Sequence, residues 1–181
     1  MSPPVFLSIL IPVYNWDIKE LLTRLVGQIE RLPADKQTEI VVIDDHSSLK
    51  FSNSETAARM PLVSYSELSK NRGRAAIRNL LLQKARGEYL LYLDADMLPD
   101  EENFLQWYLQ EMKQGKSVVC GGISYQQCHG NDDPRYSFYL YKSKSTEALP
   151  ASVRQKTPWR YLFTSNILLR REIMESVPFD A

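Results

Sequence analysis

Cysteine, histidine, an excess of either charge and any long apolar run are all missing or nearly so from this chain of 181 residues. Two cysteines, Cys120 and Cys128, do not make a disulfide framework and point to a reducing compartment. With His46 and His129 they also lack the ligand spacing of a zinc site. Ser47 has no evident base partner that would make it a nucleophile. Lys+Arg and Asp+Glu balance at 22 each, which removes nucleic acid and anionic membrane as partners of the whole surface and makes any electrostatic function local. The apolar run from Val5 to Val13 is too short to span a bilayer, and Met1-Ser2-Pro3-Pro4 lacks the basic start of a signal peptide. These absences imply a cytoplasmic protein, with peripheral attachment at the inner face of a membrane as the remaining membrane option.

What is present is a regular alternation. The length suits one domain, and the hydrophobic and charged fractions, 44% and 24%, are those of a globular protein. Val5 to Val13, Glu39 to Ile43, Leu62 to Tyr65, Tyr89 to Leu93, Val118 to Ile123 and Leu162 to Leu169 have strand patterns, most of them continuous apolar runs of the buried kind. Between them, Asp17 opens a helix with Glu20 placed as in a capping box, and Ile18, Leu21, Leu22, Leu25, Val26, Ile29 and Leu32 form its apolar face. Gly73 to Ala85 is a second helix stopped by Gly87, Pro99 and Asp100 begin a third that ends at Gly115, and Arg171 to Ser176 is a short one. His46 to Met60 reads as irregular with one turn of helix near Ala57. The periodicity fails from Ser124 to Lys156, a polar stretch rich in tyrosine. Its Tyr125, Tyr136, Tyr139 and Tyr141 either wall a pocket or belong to a core.

Such alternation predicts an α/β fold, a mostly parallel sheet with helices on both faces. Ligands of these sheets bind beyond the carboxyl ends of the strands. The polar residues there are Tyr14 and Asn15, Asp44 and Asp45, and Asp94 and Asp96. If the strand at Tyr89–Leu93 continues, Asp94 and Asp96 fall on one side of it, and paired carboxylates suit a hard divalent cation that also takes phosphate oxygens. The alternative is a solvated turn leading into the next helix. Asp44-Asp45 is either a carboxylate pair for ribose or base, or an Asx turn with Ser47 and Ser48. Lys70-Asn71-Arg72-Gly73-Arg74 with Arg78 is the one dense basic patch, placed at a helix N-terminus where a diphosphate would be favoured. Its other reading is a solvated helix face.

Ser8-Ile9-Leu10-Ile11-Pro12-Val13-Tyr14-Asn15, Val41-Val42-Ile43-Asp44-Asp45-His46-Ser47, Asn71-Arg72-Gly73 with Arg78-Asn79, and Gly87 to Asp96 resemble, in order and spacing, the inverting glycosyltransferases of family 2. A looser likeness continues through Phe163-Thr164-Ser165-Asn166, Arg170 and Phe179-Asp180. The resemblance implies a nucleotide-sugar-binding, Rossmann-like GT-A fold and a donor site of Pro12, Tyr14, Asn15, Asp44, Asp45, Asn71, Arg72, Arg74, Arg78, Asp94, Ala95 and Asp96. Tyr14 would stack on the base, usually uracil, and Asp45 would bond its N–H edge. Asp94 would lie near the ribose and Asp96 would be the more direct ligand of Mn²⁺ or Mg²⁺. The activity implied is transfer of a sugar, with UDP-sugar favoured as donor, to a carbohydrate or lipid-linked acceptor hydroxyl in cell-surface polysaccharide or glycolipid synthesis.

Inversion needs a carboxylate base opposite the leaving diphosphate. Members of the family place it in a Glu-Asp pair downstream of a Phe-Asp-Glu-like turn, whereas here Phe179-Asp180 is followed by Ala181 alone. The expectation is therefore a domain cut short at its C-terminus, with residues 1–99 the nucleotide-binding half and 100–181 the start of an acceptor-side half. Asp132 and Asp133 are weak candidates for the base within the chain, and Glu147, Glu172 and Glu175 are weaker. Two rival readings are a sugar nucleotidyltransferase and a non-catalytic nucleotide-sugar-binding module. The first should carry a Gly-rich basic loop after the first strand, where this chain has Pro12-Val13-Tyr14-Asn15.

Overall fold

The structure is a computed structural model that describes residues 5–125, 136–144 and 149–181. Six strands, β1 (Leu7–Val13), β2 (Thr38–Asp44), β3 (Val63–Glu67), β4 (Tyr89–Leu93), β5 (Val118–Cys120) and β6 (Asn166–Arg170), form one sheet in the order β3-β2-β1-β4-β6-β5. The β2–β1, β2–β3 and β1–β4 pairs are parallel. β6 runs antiparallel to both of its neighbours, β4 and β5.

The pleat divides the strand side chains between two cores. Leu7, Ile9, Ile11, Val13, Ile40, Val42, Leu91 and Leu93 pack with α1 (Lys19–Ile29), α2 (Asn53–Ala58) and α4 (Phe104–Lys113). Leu10, Val41, Ile43, Leu90 and Tyr92 face the other way, onto α3 (Arg74–Lys84) and α7 (Arg171–Ser176). Every residue of β4 is buried, as expected of a central strand covered on both faces.

Several local expectations change. Asp17 and Glu20 do not form a capping box: α1 starts at Lys19, Asp17 Oδ1 accepts the Lys19 N–H at 2.9 Å, and Glu20 pairs with Arg24 at 2.6 Å. Instead Asn53, from α2, accepts the Ile18 N–H and donates to the Trp16 carbonyl, tying two loops together. Gly87 does not stop α3, which ends when Ala85 turns extended. Its role is close approach, since a Cβ there would lie 2.5 Å from the Ser8 backbone nitrogen. Gly115, at φ +75°, does close α4. Leu162 to Ser165 precede β6 rather than belong to it. The stretch from Ser124 to Lys156 holds α5 (Tyr136–Ser143) and α6 (Ala151–Arg154), short helices that bury too little to show a periodicity. Tyr125, Tyr136 and Tyr139 are half-buried and Tyr141 is exposed, so none is core.

Candidate functional site

The parallel strands β1, β2 and β4 end on one edge, and so bring together loops from Tyr14, Asp44 and Asp94. Asn15 has φ 54°, a left-handed turn that asparagine tolerates, and its side-chain oxygen accepts from the Leu49 N–H at 2.9 Å and the Ser48 hydroxyl at 3.2 Å. Ser47 Oγ accepts the Asn15 N–H at 2.8 Å. These bonds lock the β1 and β2 loops to each other and leave the Tyr14 ring 54% exposed beside them.

Asp44 and Asp45 are buried, and both are committed. Asp44 Oδ1 accepts the Ser47 N–H at 2.7 Å, the Asx turn foreseen for this sequence, and its Oδ2 accepts the Tyr65 hydroxyl at 3.1 Å. Burial, then the Asp44 charge, holds the Tyr65 phenol above its ordinary range, so it remains a donor. Asp45 takes the Arg72 N–H at 2.6 Å on one oxygen and the Gly73 N–H at 2.9 Å on the other. Asn71 Nδ2 donates to the Asp45 carbonyl at 3.0 Å. The carboxylate thus anchors the loop entering α3, where Gly73 adopts φ 85°. Asn71, Arg72 and Arg74 are exposed along this loop.

β4 ends at Leu93, so Asp94 and Asp96 do not share a strand face. They lie in a turn closed by the Met97 N–H on the Asp94 carbonyl at 3.1 Å. Asp94 turns inward, with Arg78 Nη2 on its Oδ1 at 2.5 Å, while Asp96 is exposed. Burial raises the Asp94 carboxyl above its usual range, Arg78 opposes the rise, and the Asp96 charge adds to it. Arg78 is itself buried rather than displayed on the basic patch.

A divalent cation that keeps water and takes phosphate oxygens needs only one or two protein carboxylates, and Asp96 makes no hydrogen bond or ion pair among the described residues. No group of three His, Cys, Asp or Glu side chains gathers among those residues, and Asp96, with Asp94 beside it, offers one or two carboxylates. That set fits a phosphate-sharing Mg²⁺ or Mn²⁺ and does not fit an all-protein cage. A cleft of about 850 Å³ opens beside it, lined by Asn15, Trp16, Phe51, Ala95, Asp96 and Leu98 among others.

Asp132 and Asp133, with Cys128, His129 and Glu147, lie outside the described residues. The sequence reading missed Tyr65, whose hydroxyl braces Asp44 from behind. It also missed Tyr108 and Asn166: the Tyr108 hydroxyl bonds Asn166 Oδ1 at 2.6 Å, and Asn166 Nδ2 reaches the Gly122 carbonyl at 3.1 Å. Arg154 is buried with its guanidinium on the carbonyls of Leu149 and Cys120, a placement that nothing in the polar stretch around it signals.

The profile of the family described as Glycosyl transferase family 2 matches residues 8–177, nearly the whole chain. The chain belongs to glycosyl transferase family 2. The poly(ribitol-phosphate) beta-glucosyltransferase of Bacillus spizizenii is 36% identical over 122 residues, which are 65% of this chain and 19% of that protein. The crystal structure of S. aureus TarS 1-349 superposes with a TM-score of 0.69 at 21% identity, covering 95% of this chain and 49% of that one. The mannosyltransferase PcManGT of Pyrobaculum calidifontis, solved with GDP-Man and Mn²⁺, gives 0.63 at 20% identity, over 98% of this chain and 49% of that one. The likeness identifies the fold as GT-A, as the sequence implies. The chain spans half or less of the length of each of these relatives. Among the described residues no helix is long and apolar enough to cross a membrane.

Proposed function

We propose that this family 2 domain binds a nucleoside-diphosphate sugar, with UDP-sugar favoured, on the edge formed by β1, β2 and β4. There it transfers the sugar with inversion to an acceptor hydroxyl, on a carbohydrate or lipid-linked acceptor, in cell-surface polysaccharide or glycolipid synthesis. The observation that carries the reading is the edge itself. An exposed aromatic ring (Tyr14), a loop carrying Arg72 and Arg74 at a helix N-terminus, and an uncommitted carboxylate (Asp96) meet there. TarS has been solved with UDP-GlcNAc and PcManGT with GDP-Man and Mn²⁺, which supports both the donor class and the cation.

The residues divide the work by geometry. Tyr14 offers a face for a base to stack on. Asp45 holds the 71–73 loop, so that its arginines and the first N–H groups of α3 meet an anion without reorganising. Asp96 holds the Mn²⁺ or Mg²⁺, with Asp94 fixed beside it, and the cation supplies Lewis-acid neutralisation of the leaving diphosphate's charge. We assign residues 1–99, which carry β1–β4 and the loops of the edge, to a donor half and residues 100–181 to the start of an acceptor-side half. A carboxylate beyond the described residues, Asp132 or Asp133 included, would serve as base.

The test is a calorimetric titration of UDP, GDP and dTDP, each in Mn²⁺ and in a chelator. UDP is expected to bind most tightly, and more tightly with Mn²⁺. Asp96→Ala should remove the gain from Mn²⁺, because the cation loses its principal ligand. Equal UDP affinity in Mn²⁺ and in the chelator would sink the proposal.

A further inference from the structure

Arg78 and Asn79 are neighbours on α3, and both reach the last residues of the chain or what those residues cover. The Asn79 amide donates from Nδ2 to the Phe179 carbonyl at 2.8 Å and accepts the Phe179 N–H on Oδ1 at 3.0 Å. Asparagine and glutamine are the side chains that can meet a backbone N–H and C=O pair in this way. The clamp seats the Phe179 ring edge-on against Tyr92, with centroids 5.5 Å apart, and places it 5.8 Å from the Arg78 guanidinium. Tyr92 in turn donates its hydroxyl to the Arg78 carbonyl at 3.2 Å.

The guanidinium under this ring is held at both ends. Nη1 donates to the Arg74 carbonyl at 3.0 Å and Nη2 to Asp94 Oδ1 at 2.5 Å. Its Nε is buried and makes no hydrogen bond. A buried donor left unsatisfied is costly, so the position of this side chain is imposed by its surroundings rather than chosen by its own bonding. The ring supplies a cation–π contact to the guanidinium, whose side chain is 8% exposed against 32% for its partner Asp94. An exposed pair of the same geometry would be worth little.

We propose that Asn79 and Phe179 are positioning residues for the edge: the clamp seats Phe179 against Arg78, Arg78 is thereby held on Asp94, and Asp96 is the carboxylate left for a divalent cation. The segment after α7 runs over the surface, with Val177 69% exposed, and Phe179 is the residue by which it reaches Arg78 and, through Arg78, the Asp94 turn. The consequence for the cation rests on the donor-binding reading above. The positioning of Arg78 does not.

Two measurements separate them. In the nucleotide-free protein, ¹⁵N spectra of the arginine side chains read rotation about the Arg78 Nε–Cζ bond, slow while the guanidinium is held. Phe179→Ala should restore fast rotation, and Phe179→Tyr, which keeps the ring, should not. In UDP titrations, Phe179→Ala should reduce the affinity gain from Mn²⁺ by about 10-fold or more, the usual effect of losing a residue that orients a metal ligand. It should leave affinity in the chelator unchanged, and Phe179→Tyr should leave both as in wild type. Should Phe179→Ala not fold, Asn79→Asp, which removes one bond of the clamp, takes its place. Unchanged Arg78 rotation in Phe179→Ala, or equal losses in Mn²⁺ and in chelator, would overturn the proposal. A wild-type protein with no gain from Mn²⁺ would instead refute the donor-binding reading, and the arginine spectra alone would then decide the positioning.

Discussion

Removing the carboxylate of Asp45 separates two roles that one side chain can hold. Its oxygens accept the Arg72 and Gly73 N–H groups at 2.6 and 2.9 Å, and the residue is only 4% exposed. Hydrogen bonds to a charged group contribute about 1.5–3 kcal/mol each. The negative charge at the N-terminus of α3 adds roughly 0.5 kcal/mol. Arg72 is exposed, so its freed N–H can hydrate, which places the total near the lower end of the sum. Asp45→Ala should therefore cost about 3 kcal/mol. Asp45→Asn keeps one acceptor and turns an NH₂ toward the other backbone donor, for a loss of about 2 kcal/mol. Urea unfolding reads both, with the midpoint falling and the slope m unchanged. Nucleotide titration reads the second role. A slackened 71–73 loop weakens UDP and ADP alike. A carboxylate that also bonds the N–H of uracil through a remaining lone pair adds a UDP-specific loss of about 1–3 kcal/mol. Equal losses for the two nucleotides would leave Asp45 with the loop alone. An Asp45→Asn protein within about 0.5 kcal/mol of wild-type stability, the range of an ordinary surface change, would refute the loop-anchoring argument itself.

Gly87→Ala places a Cβ 2.5 Å from the Ser8 backbone nitrogen and 2.8 Å from the Leu7 carbonyl carbon, so relief requires moving β1. The expected cost is about 3 kcal/mol, a Tm drop of roughly 6–12 °C by calorimetry, and a change under 1 °C would contradict the packing. Gly121→Ala drives a methyl into the Tyr108 hydroxyl and the Asn166 amide, whose mutual bond is 2.6 Å, and should cost about 1–3 kcal/mol in thermal unfolding. Burial raises the phenol pKa of Tyr92 and Tyr108, as burial and Asp44 do for Tyr65, so each keeps its proton in the folded state at pH values where the unfolded chain has lost it. Stability is then full below pH about 10 and falls above it by about 1.4 kcal/mol per pH unit for each buried tyrosine that stays protonated. Tyr92→Phe should lower that slope by about 1.4 kcal/mol per pH unit in alkaline urea titrations, and an unchanged slope would refute the assignment.

The sheet was legible because its central strands are covered on both faces. Tyr89–Leu93 is apolar throughout, and its ends agree with the sequence reading residue for residue. β2 differs only at its termini. Direction was not legible: Asn166–Arg170 is as apolar as a parallel strand, and only its pairing with Tyr89–Leu93 shows that it runs the other way. The helix over Tyr136–Ser143 was missed because its Phe138, Leu140 and Tyr141 are exposed, so burial imposes no helical period on it. At the edge, position could be read but commitment could not. Asp45 was found by its place after β2, yet nothing local states that two backbone N–H groups from 27 and 28 residues away would occupy it. The Asn79–Phe179 clamp spans 100 positions and has no periodic signature at all.

On the donor-binding proposal, the unequal fates of Asp94 and Asp96 would let a chain of zero net charge hold an anion at one edge. Were both carboxylates displayed, two negative charges would stand where the proposed diphosphate comes, opposing the exposed Arg72 and Arg74. Pairing Asp94 with the buried Arg78 offsets one of them at 2.5 Å, with the Asp94 side chain half-buried and that of Arg78 buried. The strand ending at Leu93 makes this possible, because a turn can send two side chains spaced two apart in opposite directions while a strand cannot. The visible balance of the edge then includes exposed Lys70, Arg72 and Arg74 against the Asp96 carboxylate, with the N–H groups that open α3 adding partial positive charge. On the proposed reading, the remaining carboxylate would disfavour an anion until a divalent cation sat on it, and favour one afterwards. A single uncommitted aspartate would thereby couple the two proposed ligands, which a pair of equally exposed carboxylates would do at the cost of a second repulsive charge.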